Sequence, residues 1–132
     1  MILETFRFNG GLLAAGNKLT KPFGLTSARW QVMGPICEEP LTVAQIARRM
    51  GLARQGVQRI VNDLEQAGFV TFEPNVDHKR APLVLISNTG KEVMTKIDKA
   101  QAKWVNKLAR ELSEKQIRQA LKVLETARER CN

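Results

Sequence analysis

Little in this chain is equipped for covalent or redox chemistry. Of its 132 residues two are cysteine and one is histidine. Cys37 and Cys131 lie far apart without C-x-x-C spacing, so neither a disulfide framework nor a zinc site is expected. Cys37 reads as a small buried hydrophobe, and His78, with no second histidine, as a loop residue. No carboxylate pair, glycine-rich phosphate loop or nucleophile–base arrangement is recognisable, so no catalytic residue, cofactor or metal is expected. No apolar run approaches the roughly 20 residues of a membrane span. The opening MILETFRFNGG lacks the basic-then-apolar order of a signal peptide. Low-complexity tracts and internal repeats are also missing. These absences lead us to expect a cytoplasmic protein of one domain, residues 1–132, without a membrane partner.

What is abundant is positive charge. Twenty-one Lys and Arg stand against 13 Asp and Glu, a net +8 with a pI near 10. Such a balance fits a polyanion, nucleic acid first and an anionic membrane surface second. Its distribution is uneven: residues 91–132 hold eleven cations and six anions, residues 42–90 only six and four. A solvated charged face explains the C-terminal excess about as well as a binding surface does.

The apolar pattern is mainly helical. Two periodic segments fill roughly Leu3 to Ile36, separated by Lys21-Pro22-Phe23-Gly24. Gly10-Gly11, each costing about 1 kcal/mol against alanine, predict a late start or a break in the first segment. Pro35 predicts a bend or early end in the second, which Leu25-Thr26-Ser27 would cap. After Glu38-Glu39-Pro40, Thr42 can cap a helix striped by Val43, Ile46, Ala47 and Met50. Gly51-Leu52-Ala53 interrupts it, and Val57, Ile60, Val61 and Leu64 stripe a second helix that Gly68 stops. Two short helices joined by a glycine-containing turn are a helix-turn-helix pattern. Val70-Thr71-Phe72 and Leu83 to Ile86 then make a hairpin, with Pro82 placed as on an edge strand. Ser87 can cap a long helix to about Arg110 striped by Val93, Ile97, Ala100, Trp104 and Leu108. Ser113 and Gln116 form a capping box for a last helix striped by Ile117, Leu121 and Leu124.

Two features carry chemistry. If the apolar stripe of the second motif helix faces inward, Gln55, Arg59, Asn62 and Gln66 face outward, with Arg54 and Gln58 toward the edges. Arginine pairs with guanine O6 and N7, and glutamine with adenine N6 and N7. Asp63 and Glu65 would repel phosphate, so contacts should concentrate in the first two turns. The hairpin tip, EPNVDHKRAP, carries Lys79 and Arg80, suited to phosphates or to the negative potential of a minor groove. Any exposed helix face is polar, however, and a surface turn can hold two cations by chance. The stripes of the last two helices, together with Leu12 and its neighbours near the N-terminus, read either as core or as a seam with a second chain; the seam is preferred, because one small winged unit cannot cover that much apolar surface.

The whole pattern resembles the MarR family of winged helix-turn-helix transcriptional regulators, and the likeness spans nearly the full chain. LTSARWQVMGPI resembles that family's second helix, LTVAQIARRMGLARQGVQRIVNDLEQAGFV its helix-turn-helix, and DHKRAPLVLISNTGKEV its wing and the step into the long helix. The resemblance implies a mainly α fold with a small β-hairpin wing. Residues 41–86 would form the DNA-binding lobe, and residues 1–36 and 87–132 the dimerisation helices, with 26–36 supporting the lobe. It implies a homodimer on a pseudo-palindromic double-stranded DNA site. Thr42, Arg54, Gln55, Gln58, Arg59, Asn62, His78, Lys79 and Arg80 would contact DNA. Arg80 takes the place of the wing arginine, and Asp77 or His78 that of its brace. Leu12, Val93, Ile97, Trp104, Leu108, Ile117, Leu121 and Leu124 would line the dimer interface. Ala53 stands where many members have a polar capping residue. Many members also respond to a small aromatic ligand held between the dimer helices and the DNA-binding lobe.

The expected function is therefore a sequence-specific, homodimeric regulator, a repressor relieved by a small molecule. An architectural nucleic-acid binder relying on charge, and a protein-interaction module on a winged-helix scaffold, remain alternatives. A small enzyme is the least favoured.

Overall fold

The computed structural model describes residues 1–131. Six helices and three short strands follow in the order α1 (Ile2–Thr20), α2 (Ser27–Ile36), β1 (Leu41–Thr42), α3 (Val43–Met50), α4 (Arg54–Gln66), β2 (Val70–Glu73), β3 (Leu83–Ile86), α5 (Asn88–Leu108) and α6 (Glu114–Arg130), with a 3-10 turn at Lys21–Phe23. The fold is mainly helical with one small antiparallel sheet. The chain divides into two compact units, one ending at Lys99 and one beginning at Ala100.

In the first unit the core is built from α2, α3, α4, the sheet and the start of α5. Val32, Met33, Ile46, Val61, Leu64, Val84 and Ile97 are fully buried. Ordinary capping chemistry sets the helix starts. The Thr26 hydroxyl accepts from the Arg29 N–H, and Thr42 with Gln45 closes a full capping box. Pro35 falls one residue before α2 ends, as its missing N–H predicts. Gly10-Gly11, by contrast, do not break α1, which runs 19 residues through them. Leucine and alanine immediately downstream, strong helix formers, offset the local glycine cost.

The sheet differs from the expected isolated hairpin. Leu41 and Thr42 pair with Val84 and Leu83, giving the order β1-β3-β2. β3 is thus the central strand, and Pro82 is not on an edge strand but stands just before β3, where its lost donor breaks no pairing. A third strand stabilises the hairpin, which would be marginal alone. The step out of the sheet is close-packed. A Cβ at Gly90 would collide with the Phe69 carbonyl oxygen, so only glycine lets α5 begin there. Ser87 joins the parts: its hydroxyl donates to the Gly68 carbonyl (2.6 Å) and accepts from the Gly90 N–H (3.0 Å).

The core reaches into α5 because Met94 and Ile97 are buried there. Ile97, expected at a dimer seam, is therefore a core residue of its own chain, and Val93 packs partly buried on the same core. In the second unit, the rest of α5 leads to α6, whose start is held by the Ser113–Gln116 capping box. No residue of α6 is buried. Among the described residues no helix is long and apolar enough to cross a membrane.

Candidate nucleic-acid interface

The α3–α4 pair is held at its turn by Gly51, whose φ of 64° is the left-handed conformation that closes α3. Leu52 N–H then returns to the Ala47 carbonyl at 2.9 Å. Ala53 is the N-cap of α4 and offers no side-chain cap, so it leaves the first N–H groups of the helix without a side-chain acceptor. Val57, Val61 and Leu64 are buried beneath it. This leaves Arg54, Gln55, Gln58, Arg59 and Asn62 exposed, all on the first nine residues of the helix. Gln58 Nε2 donates to Asn62 Oδ1 at 3.0 Å, so these two amides already orient one another.

Two details refine the expected contact set. Thr42 is only 9% exposed and its hydroxyl accepts from the Gln45 N–H, so it positions α3 rather than presenting a free group. Asp63 does not stand as a bare repulsive charge: Arg29 of α2 lies 3.9 Å from it, an ion pair tying α4 to its support. Nothing in the local sequence marks Arg29 for this role, because its partner belongs to a different helix.

At the wing, His78, Lys79 and Arg80 are exposed at the tip between β2 and β3. The expected brace of Arg80 by Asp77 is not formed: among the described residues, no ion pair joins them. Asn75 closes the tip instead. Its Oδ1 accepts from the Asp77 N–H at 3.1 Å, and its carbonyl accepts from the His78 N–H at 3.2 Å. The Ala81 N–H then reaches the His78 carbonyl at 3.0 Å. This is an Asx-type turn, and the asparagine inside EPNVD was the available signal for it. Arg80 is left free in the unbound chain.

The remaining sequence-predicted residues separate clearly. Leu12, Leu108, Ile117, Leu121 and Leu124 are 40%, 52%, 43%, 54% and 49% exposed, and Trp104 is half-buried. Cys37 is exposed rather than buried, its thiol donating to the Met33 carbonyl at 3.3 Å. Partial desolvation, with Asp98 and Glu38 nearby, raises its pKa and so suppresses the reactive thiolate. Among the described residues no group of three His, Cys, Asp or Glu side chains could hold a metal ion. An open cleft of about 430 Å³ lies against α2 and the end of α3, lined in part by Trp30, Gly34, Pro35, Arg49 and Met50.

Residues 23–81, from the end of the 3-10 turn through the wing tip, match the sequence profile of the MarR family. An uncharacterised protein of Mycobacterium tuberculosis is 36% identical over 109 residues, which cover 83% of this chain and 76% of that protein. Among solved structures, the transcriptional regulator BldR from Sulfolobus solfataricus superposes with a TM-score of 0.87 at 20% identity, over 98% of this chain and 93% of its own. A mutant MarR from Escherichia coli complexed with operator DNA gives 0.82 at 18% identity, over 93% and 89%. The two structural likenesses establish the fold. The profile match and the capped helix-turn-helix with its wing make the further assignment: this chain belongs to the MarR family of DNA-binding transcriptional regulators.

Proposed function

We propose that the protein is a homodimeric repressor that reads a pseudo-palindromic DNA site in the cytoplasm. The observation that carries this reading is the composition of α4's open face. Its apolar residues are all engaged below, and the side chains left exposed in its first turns, Arg54, Gln55, Gln58, Arg59 and Asn62, are those able to pair with base edges. The exposed Lys79 and Arg80 of the wing would add phosphate or minor-groove contacts, with the exposed His78 beside them. The uncovered apolar residues of α1 and α6 support dimerisation, because a single copy leaves them in water. A dimer would place two recognition helices on successive major grooves about one helical turn apart.

Occupying promoter DNA is sufficient for repression. A small aromatic ligand stacked on Trp30 in the 430 Å³ cleft would relieve it if it bound better to a dimer whose helices no longer match the groove spacing. The decisive experiment is a binding titration on a duplex carrying an inverted repeat, sought in the DNA that flanks the coding region, and on its scrambled counterpart. Specific reading predicts an affinity ratio of about 10³ or more at physiological salt. A ratio near one would replace this function with charge-driven architectural binding. Absence of binding even at low salt would leave a protein-interaction module.

A further inference from the structure

The chain's charge is concentrated where base reading does not occur. Residues 91–132 hold eleven Lys and Arg against six Asp and Glu. On α5 these cations fall into register: Lys96, Lys99, Lys103 and Lys107 follow one another at three, four and four residues. Arg110 comes three later, in the turn after the helix. At 100° per residue the five positions fall within about 80° of arc, a single stripe, while Ile97, Trp104 and Leu108 lie well away from it around the helix. The four lysines extend over roughly 16 Å of helix. All five cations are exposed, and none lies within ion-pair distance of a carboxylate among the described residues.

An idle solvated face does not require this arrangement. Lys99–Lys103 and Lys103–Lys107 are like-charged pairs at i,i+4, and Lys96–Lys99 is one at i,i+3; each weakens the helix. Glu92 and Glu111 stand only at the two ends of the stripe. α6 shows the usual alternative, interleaving its charges so that Arg118 pairs with Glu114 at 2.6 Å. A stripe that accepts repulsion from Lys96 through Lys107 is matched to a partner that removes it.

We propose that the α5 stripe is a second DNA-binding surface, holding the phosphate backbone of duplex DNA without regard to base sequence. The choice of DNA rests on the regulator reading above. A second copy of this chain would bring like charges together. Insertion into a lipid surface needs apolar side chains among the cations, and the stripe contains none. Duplex DNA offers one charge per ~1.7 Å of axis, dense enough to engage every lysine of the stripe. Once α4 holds the protein on DNA, further phosphate is present at high local concentration.

The test uses the full chain and its quadruple variant Lys96→Gln/Lys99→Gln/Lys103→Gln/Lys107→Gln. Glutamine has similar helix propensity, and far-UV circular dichroism confirms that the fold is kept. Both proteins are titrated with a duplex lacking any inverted repeat, at several salt concentrations. The slope of log affinity against log salt is expected to fall by about 3 to 4 in the variant, roughly 0.9 for each phosphate no longer neutralised. The matching Lys→Arg quadruple variant should retain the slope. An unchanged slope in the glutamine variant overturns the proposal. So does an unchanged DNA slope accompanied by loss of binding to polyglutamate, which would assign the stripe to an acidic protein. The glutamine variant should also keep the wild-type preference for the inverted repeat over its scramble. If the wild type shows no such preference, base reading by α4 fails, while the slope difference still decides the stripe.

Discussion

On α4, Val57, Val61 and Leu64 are 1%, 0% and 0% exposed; on α6, Ile117, Leu121 and Leu124, at similar spacing, are 43%, 54% and 49% exposed. As sequences the two helices make the same statement, an apolar stripe on a polar rod. Helices of this length draw most of their stability from the packing of that stripe. For α4 the cover comes from α2, α3 and the sheet of the same chain. For α6 no cover is present among the described residues, which is why its stripe supports a dimer. The comparison teaches that amphipathicity announces a buried face without saying whose atoms bury it.

The contrast can be broken at either helix. The largest effect is expected from Leu64→Ala, which opens a cavity in the core and should cost about 2–5 kcal/mol in denaturant unfolding. A loss no larger than a surface change would mean that α4 is not anchored as described. At α6, Leu121→Asp with Leu124→Asp should convert a two-chain mass to a one-chain mass by light scattering at micromolar concentration. A persistent dimer would move the seam elsewhere. On α4's open side, Arg59→Ala should cost about 1–3 kcal/mol on the preferred sequence and less on others. Arg80→Ala should instead weaken all sequences alike and lower the salt slope by about one. Identical behaviour of the two variants would argue against dividing base reading from backbone contact. The smallest effect lies at α4's uncapped start, where Ala53→Ser should add about 1 kcal/mol of stability. No gain in melting temperature would show that the first-turn N–H groups are already satisfied by water.

Much of this was legible from residues alone, and for local reasons. Thr26, Thr42, Ser87 and Ser113 each cap the helix expected of them, because an N-cap involves only the next three residues. Gly51 and Gly68 both take positive φ where the turns were placed. Arg54, Gln55, Gln58, Arg59 and Asn62 emerge together on one exposed face because the period of the buried stripe determines what lies opposite. The failures were non-local or competitive. Two residues at Leu41–Thr42 are too few to read as a strand until β3 is beside them. Asn75 outcompetes Asp77 for the wing tip because its side chain reaches a backbone N–H two residues on.

By itself, then, the sequence determined the helices from α2 to α6, most of their caps, the helix-turn-helix and the position of the wing, while the unbroken course of α1 through Gly10-Gly11 was not expected. These depend on periodicity and on contacts within one turn. Only the tertiary structure decided that β3 is the central strand, that Arg29 supports Asp63, and that Ile97 belongs to the chain's own core while Leu121 and Leu124 do not. A hydrophobic stripe has the same period whether its cover is intramolecular or not, so that assignment requires the packed neighbours themselves.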